Sequence, residues 1–175
     1  MIRLTITTNK KGEYKMLVKT IGTDKDNGYG ANQHLIVQVT APKITGEMKI
    51  YPMSTTDRLR CEGTLIINGY EKNIFAGHAV KKSGQWVGEL TKYGTSSALT
   101  DKQMVLANQA IEAMCSHAES DSAFFYEMES VERYYIEIDV ERAEEKIKLL
   151  QAEIREQMDA IQQCAFKLRA NKVTQ

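Results

Sequence analysis

Along the last third of the chain the apolar residues fall on a fixed interval. Val140, Ile147, Ile154, Ile161 and Leu168 stand every seventh residue, and the positions between them mostly carry charge or amide groups. Asp139 is placed to cap a helix, since its carboxylate can accept from a backbone N–H one turn in. Glu141, Glu144 and Glu145 crowd the positive end of the helix dipole, and Lys167 and Arg169 sit near its negative end. With no Gly or Pro from Asp139 onward, the pattern predicts a helix over 139–170, about 45 Å long.

That helix admits two readings. As heptads, Val140 and its successors take position a, β-branched at four of five places, while position d reads Ala143, Leu150, Gln157 and Cys164. The first series suits a two-stranded coiled coil, and the second is weak. At the 3.6-residue period the stripe becomes Ala143, Ile147, Leu150, Ile154, Met158, Ile161, Ala165 and Leu168, without polar interruption, as in a straight helix packed on another surface. Either way Val140, Ile147, Leu150, Ile154, Met158, Ile161 and Leu168 form the candidate helix interface, for self-association or for packing within the chain.

The first 95 residues alternate at the strand period. Arg3–Thr8, Tyr14–Ile21, His34–Thr40, Glu47–Tyr51, Arg60–Ile67, Lys72–Val80 and Trp86–Tyr93 read as strands, separated by turn signals at Gly12, Asn27-Gly28, Pro42, Gly46, Pro52, Asn68-Gly69 and Ser83-Gly84. Asn68-Gly69 between two apolar runs is the clearest hairpin signal. Strands in this succession without intervening helices predict an antiparallel sheet, curled or closed into a small barrel or sandwich. Residues 22–33 read as a long polar loop of the kind that carries binding contacts. Asp24, Asp26 and Asn27 in that loop do not match calcium-loop spacing, and Leu35 stands where the closing Glu would be. Gly28-Tyr29-Gly30 does not extend to a phosphate-binding fingerprint.

Gly94 to Ser97 marks a change of composition and a candidate boundary, dividing the chain into 1–95 (antiparallel β) and 96–175 (helical). Thr100 to Gln103 matches a capping box opening a helix to about His117. Between 120 and 138 the periods conflict. Phe124, Phe125, Met128, Val131, Tyr134, Tyr135 and Ile138 have helical spacing, but Tyr134, Ile136, Ile138 and Val140 also alternate with Tyr135, Glu137 and Asp139 in strand-forming types. Their helical stripe is also out of phase with the Val140 stripe. A break before Val140 with a strand over 133–138 is therefore expected; one unbroken helix would instead run to nearly 50 residues and require a partner surface.

Composition adds little until charge is divided by halves. The 175 residues are 42% hydrophobic, 26% charged and formally neutral. Residues 1–95 carry 14 Lys and Arg against 8 Asp and Glu, and residues 96–175 carry 9 against 15. A basic sheet with interleaved aromatics suggests polyanion contact, with Lys43, Lys49, Arg58, Arg60, Lys72, Lys81, Lys82, Trp86 and Lys92 as candidate residues. The plainer reading is that the two halves attract each other, or their symmetry mates. Cys61, Cys115 and Cys164 are too far apart, and odd in number, for a disulfide framework or metal cluster, which favours a reducing, cytoplasmic setting. No run is apolar enough to cross a bilayer, and the strand-like N-terminus does not read as a signal peptide.

Catalytic chemistry finds no footing. His34, His78 and His117 lie in no nucleophile-elbow or metalloprotease context, and His117 is explained by the dipole at a helix C-terminus. The carboxylates of Glu127 to Glu145 read as a solvated face, and no Glu-x-x-His spacing suggests a metal. No cofactor or metal is expected, and no motif ties the chain to a family. The sequence thus predicts an α+β protein, an antiparallel β domain followed by helices and ending in a long amphipathic one. Its expected role is non-enzymatic protein recognition or assembly, through self-association or docking, as in a small inhibitor of a larger enzyme or nucleoprotein complex. Nucleic-acid binding by the basic β face is the alternative.

Overall fold

The computed structural model describes residues 4–8, 15–25 and 33–173. Seven strands, β1 (Leu4–Thr8), β2 (Lys15–Lys25), β3 (Gln33–Ala41), β4 (Ile44–Pro52), β5 (Arg58–Ile67), β6 (Tyr70–Lys82) and β7 (Gln85–Gly88), form one antiparallel sheet in sequence order. The sheet is curled rather than closed. The expected loop over 22–33 begins later than its composition suggests: Gly22 to Lys25 belong to β2 and pair with Ile36 to Gln33. Residues 26–32 and the Gly12 turn lie outside the described residues. The strand expected over 86–93 ends at Gly88, and Lys92–Gly94 is a 3₁₀ turn. Asn68 and Gly69 take φ of 52° and 83°, the left-handed pair that a tight two-residue hairpin requires.

Two glycines let the sheet bend where β4 meets β5. A Cβ on Gly46 would stand 2.2 Å from the Thr64 carbonyl oxygen, and one on Gly63 would stand 2.2 Å from that of Glu47. No side chain fits there, so the two backbones approach more closely than ordinary strands allow. Bulges in the β2–β3 and β5–β6 ladders change which alternate residues face inward. On β2, Met16 and Val18 are buried before the bulge; on β6, Ile74 is buried before it and Gly77 and Ala79 after it.

The core lies between the inner face of this sheet and α1 (Asp101–Glu119), which contacts every strand from β2 to β7. The Thr100–Gln103 capping box forms as expected: the Gln103 N–H donates to Thr100 Oγ1, and the Thr100 N–H donates to Gln103 Oε1 at 3.0 Å. Ala107, Ala110, Ile111, Met114 and Cys115 supply the buried stripe, against Met48, Ile50, Leu59, Leu65 and Ile67 of the sheet. Small residues keep the helix close. At Gly88 a Cβ would lie 2.7 Å from the Asn108 carbonyl oxygen. There α1 also caps the last strand, since Glu112 accepts from the Gly88 N–H (3.3 Å) and Asn108 from the Leu90 N–H (2.9 Å). These side chains occupy donors that a bare sheet edge would leave open. His117 is buried rather than simply closing a helix end: its Nε2 lies 3.0 Å from Thr20 Oγ1 and ties the end of α1 to β2.

The second helix overturns the expected break. α2 runs unbroken over Ser122–Val173, 52 residues, so 133–138 is helix and not strand. Asp121 starts it, its carboxylate accepting from the Ala123 and Phe124 N–H groups at 3.0 and 3.2 Å. Phe124, Met128 and Val131 are buried, and Glu132 accepts from the Thr56 N–H at 3.1 Å. The alternation at Tyr134, Ile136 and Ile138 buries no common face, since Tyr134, Tyr135 and Ile136 are all exposed. With no Gly or Pro to stop it, adding one helical turn after another costs less than starting an unpaired strand. The chain divides into two compact units, Met1–Arg133 and Tyr134–Gln175. The division falls past the Gly94–Ser97 composition change because α1 packs on the sheet.

A side chain at Gly46 must push two backbones apart. Gly46→Ala is expected to lower stability by about 1–3 kcal/mol, the range of overpacked core positions. Thermal unfolding followed by circular dichroism reads this directly, and an unchanged midpoint would refute the close-approach account.

Candidate interaction surface

The Tyr134–Gln175 unit presents the clearest surface. Every side chain from Asp139 to Lys167 is exposed, including the whole described part of the predicted seam. Val140, Ile147, Leu150, Ile154, Met158 and Ile161 keep between 48% and 67% of their surface in contact with water. Leu168 lies in the helix. Each such side chain is worth about 1.5–3 kcal/mol when moved fully out of water, so the stripe holds a large unused driving force. Local support for the helix is modest: Arg142 lies 3.6 Å from Asp139, and exposed pairs of this kind contribute only a few tenths of a kcal/mol.

On the sheet, strand register assembles something the sequence does not show. Asp24 pairs across with His34, His34 with Tyr51, Tyr51 with Arg60, and Arg60 with His78, a continuous row over five strands on the face away from α1. The Leu35–Ile50 pairing fixes the His34–Tyr51 step. His34 is fully buried, its ring centroid 4.6 Å from that of Tyr51 and its Nε2 3.8 Å from the Asp24 carboxylate. Neither ring nitrogen has a hydrogen-bond partner among the described residues. Beside the row lies an open depression of about 530 Å³, with Ile36, Glu47, Lys49, Tyr51, Glu62 and Thr64 in its lining.

The nine candidate polyanion residues do not come together as one cationic stripe. Lys49, Arg58, Arg60 and Lys82 alternate with the inward residues of β4, β5 and β6, on the outer face. Three of them face carboxylates: Lys49 lies 3.7 Å from Asp24, Arg60 pairs with Glu62, and Lys82 is 2.7 Å from Glu89. The Lys82 bond holds the Glu89 carboxyl below its ordinary range. Lys72 donates to Ser97 Oγ at 2.8 Å and to the Ala98 carbonyl at 3.4 Å, and Lys43 is exposed in the β3–β4 turn. Lys92 belongs to the 3₁₀ turn.

Lys81 and Trp86 belong to the fold. Trp86 is 4% exposed and donates from its indole N–H to Glu119 Oε2 at 2.9 Å, while Lys81 pairs with the other oxygen of the same carboxylate. The Lys81 ammonium also sits 5.9 Å from the indole centroid. A basic sheet residue thus meets an acidic helix residue, the plainer reading of the charge split. Cys61 and Cys115 face each other with sulfurs 3.5 Å apart, and burial pushes the Cys115 thiol well above its usual range, which makes it a poor nucleophile. Among the described residues no cluster of three His, Cys, Asp or Glu side chains could hold a metal ion, and no helix is long and apolar enough to cross a membrane.

Removing the Glu119 carboxylate strands both the indole N–H and the Lys81 ammonium. Glu119→Ala is expected to cost about 1–3 kcal/mol and to move the emission of the chain's single tryptophan to longer wavelength, with Glu119→Gln recovering part of the loss. Unaltered emission and stability would show that the carboxylate holds nothing together. Compared with known proteins, the chain matches no family model, no curated protein and no solved structure.

Proposed function

We propose that this is a non-enzymatic assembly protein whose long helix associates with a second copy of the chain. The reading is carried by one observation: a seam of large apolar side chains, repeating at helical spacing from Val140 to Ile161, of which each is about half exposed or more. A helix with this stripe and no packing surface gains most of its stability only when the stripe is buried. The sheet and α1 belong to the other compact unit, Met1–Arg133. Two exposed faces on a dimer would suit recognition of a larger protein complex, which is the inhibitor-like role the sequence suggested. Three unbonded cysteines support a reducing, cytoplasmic setting.

The nucleic-acid reading has less support. Three of the four outer-face cations stand beside carboxylates, and the tryptophan that would stack on a base is buried against Glu119. Counterion release, the main source of affinity for a polyanion, needs cations not already paired.

Placing a charge in the seam separates association from folding. Ile154→Asp is expected to halve the mass measured by light scattering, while the buried Trp86 keeps its folded-state emission. An unchanged mass with intact fold would remove the helix as the association surface.

A further inference from the structure

Taking self-association as given, we infer that the two helices pair antiparallel, centred between Lys148 and Leu149, so that Val140 of one chain faces Gln157 of the other. The inference rests on how the strong and weak seam positions must be combined. In a parallel pair, like meets like: Ile147 on Ile147, but also Ala143 on Ala143, Gln157 on Gln157 and Cys164 on Cys164. Of the four d layers only Leu150 on Leu150 would be large and apolar, and the other three would be small or polar. In an antiparallel pair each a position meets a d position of the other chain, so a large residue fills the space left by a small one. The layers become Ile147 on Leu150, Ile154 on Ala143, Ile161 on Ile136 and Val140 on Gln157, each occurring twice by symmetry. Ile136 is 56% exposed, which leaves it available for this contact.

Charge selects the same arrangement. Parallel pairing sets Asp139 opposite Glu144 in the flanking positions, a repulsive contact, and provides no attractive one between Lys146 and the end of the seam. Antiparallel pairing with the stated centre sets Lys146 against Glu153 on both sides of the twofold axis. Sliding one helix by a heptad spoils this. In one direction Glu153 meets its own copy, in the other Lys146 meets its own, and like charges across an interface are costly. The chosen register pairs residues 136–161, about 39 Å of helix, and leaves Cys164 beyond the paired layers.

The test uses full-length chains with Cys164→Ala, one set carrying Val140→Cys and another, of different tagged mass, carrying Gln157→Cys. The two are mixed, allowed to exchange and oxidised with diamide, and the products are separated without reductant. The mixed disulfide is expected to exceed either like-with-like disulfide by about tenfold, because bridging needs Cβ atoms within about 4.5 Å. Two copies of residue 140 would lie about 25 Å apart along an antiparallel axis. Like-with-like products, or none, would overturn the antiparallel arrangement while leaving a dimer in place. Light scattering on the unsubstituted chain keeps that failure separate from failure of the assembly reading, which a monomeric mass would sink together with this one.

Discussion

Water contact along one side of α2 is the constraint that the functional account depends on. The seam from Val140 to Ile161 consists of side chains that a folded protein ordinarily hides, yet they stand about half exposed or more in a helix without Gly or Pro to interrupt it. A helix of this length could be solvated if it were polar all round and laced with ion pairs, but here acidic neighbours such as Glu141 and Glu145 repel one another at the four-residue spacing. The seam is what makes the sequence coherent: where it is covered, the β-branched residues, the flanking charges and the unbroken backbone serve one purpose.

The Met1–Arg133 unit solves a different problem, that of building a core from a meander of strands and one helix. Its solution combines apolar burial with small residues at close approaches. Gly46 and Gly63 let β4 and β5 bend together, and Gly88 lets α1 settle against the last strand. Polar groups then fix the helix at its ends and along its flank: Asn108 and Glu112 on the final strand, His117 on Thr20, and Glu119 shared between Trp86 and Lys81. An ion pair, Lys81 with Glu119, joins the basic half of the chain to the acidic half, while Lys49, Arg60 and Lys82 stand beside carboxylates of the first half. The charge split is therefore a weaker sign of an external polyanion than the residue counts alone suggested.

Much of this was legible in the residues. The hairpin at Asn68-Gly69 and the Thr100–Gln103 capping box are local chemistry, decided by neighbours in sequence, and both appear where the pattern put them. The stretch from Tyr134 to Ile138 misled because its β-branched and aromatic residues carry a strand preference that is only realised beside another strand; capped by Asp121 and followed by a strong helix former, it is helix. The polar composition of Gly22 to Lys25 likewise suggested loop where hydrogen bonding to β3 makes strand. The row from Asp24 through His34, Tyr51 and Arg60 to His78 could not be read at all. It depends on cross-strand register and on two bulges, each of which moves a side chain from one face to the other.

Self-association of the chain is what would cover the seam of α2. Sedimentation equilibrium of the unmodified protein over a wide concentration range is the most direct measurement. It is expected to show a mass that rises toward twice 19.8 kDa with increasing concentration. A mass of 19.8 kDa at every concentration would contradict it, and would mean that whatever covers the seam of α2 is not a second copy of this chain.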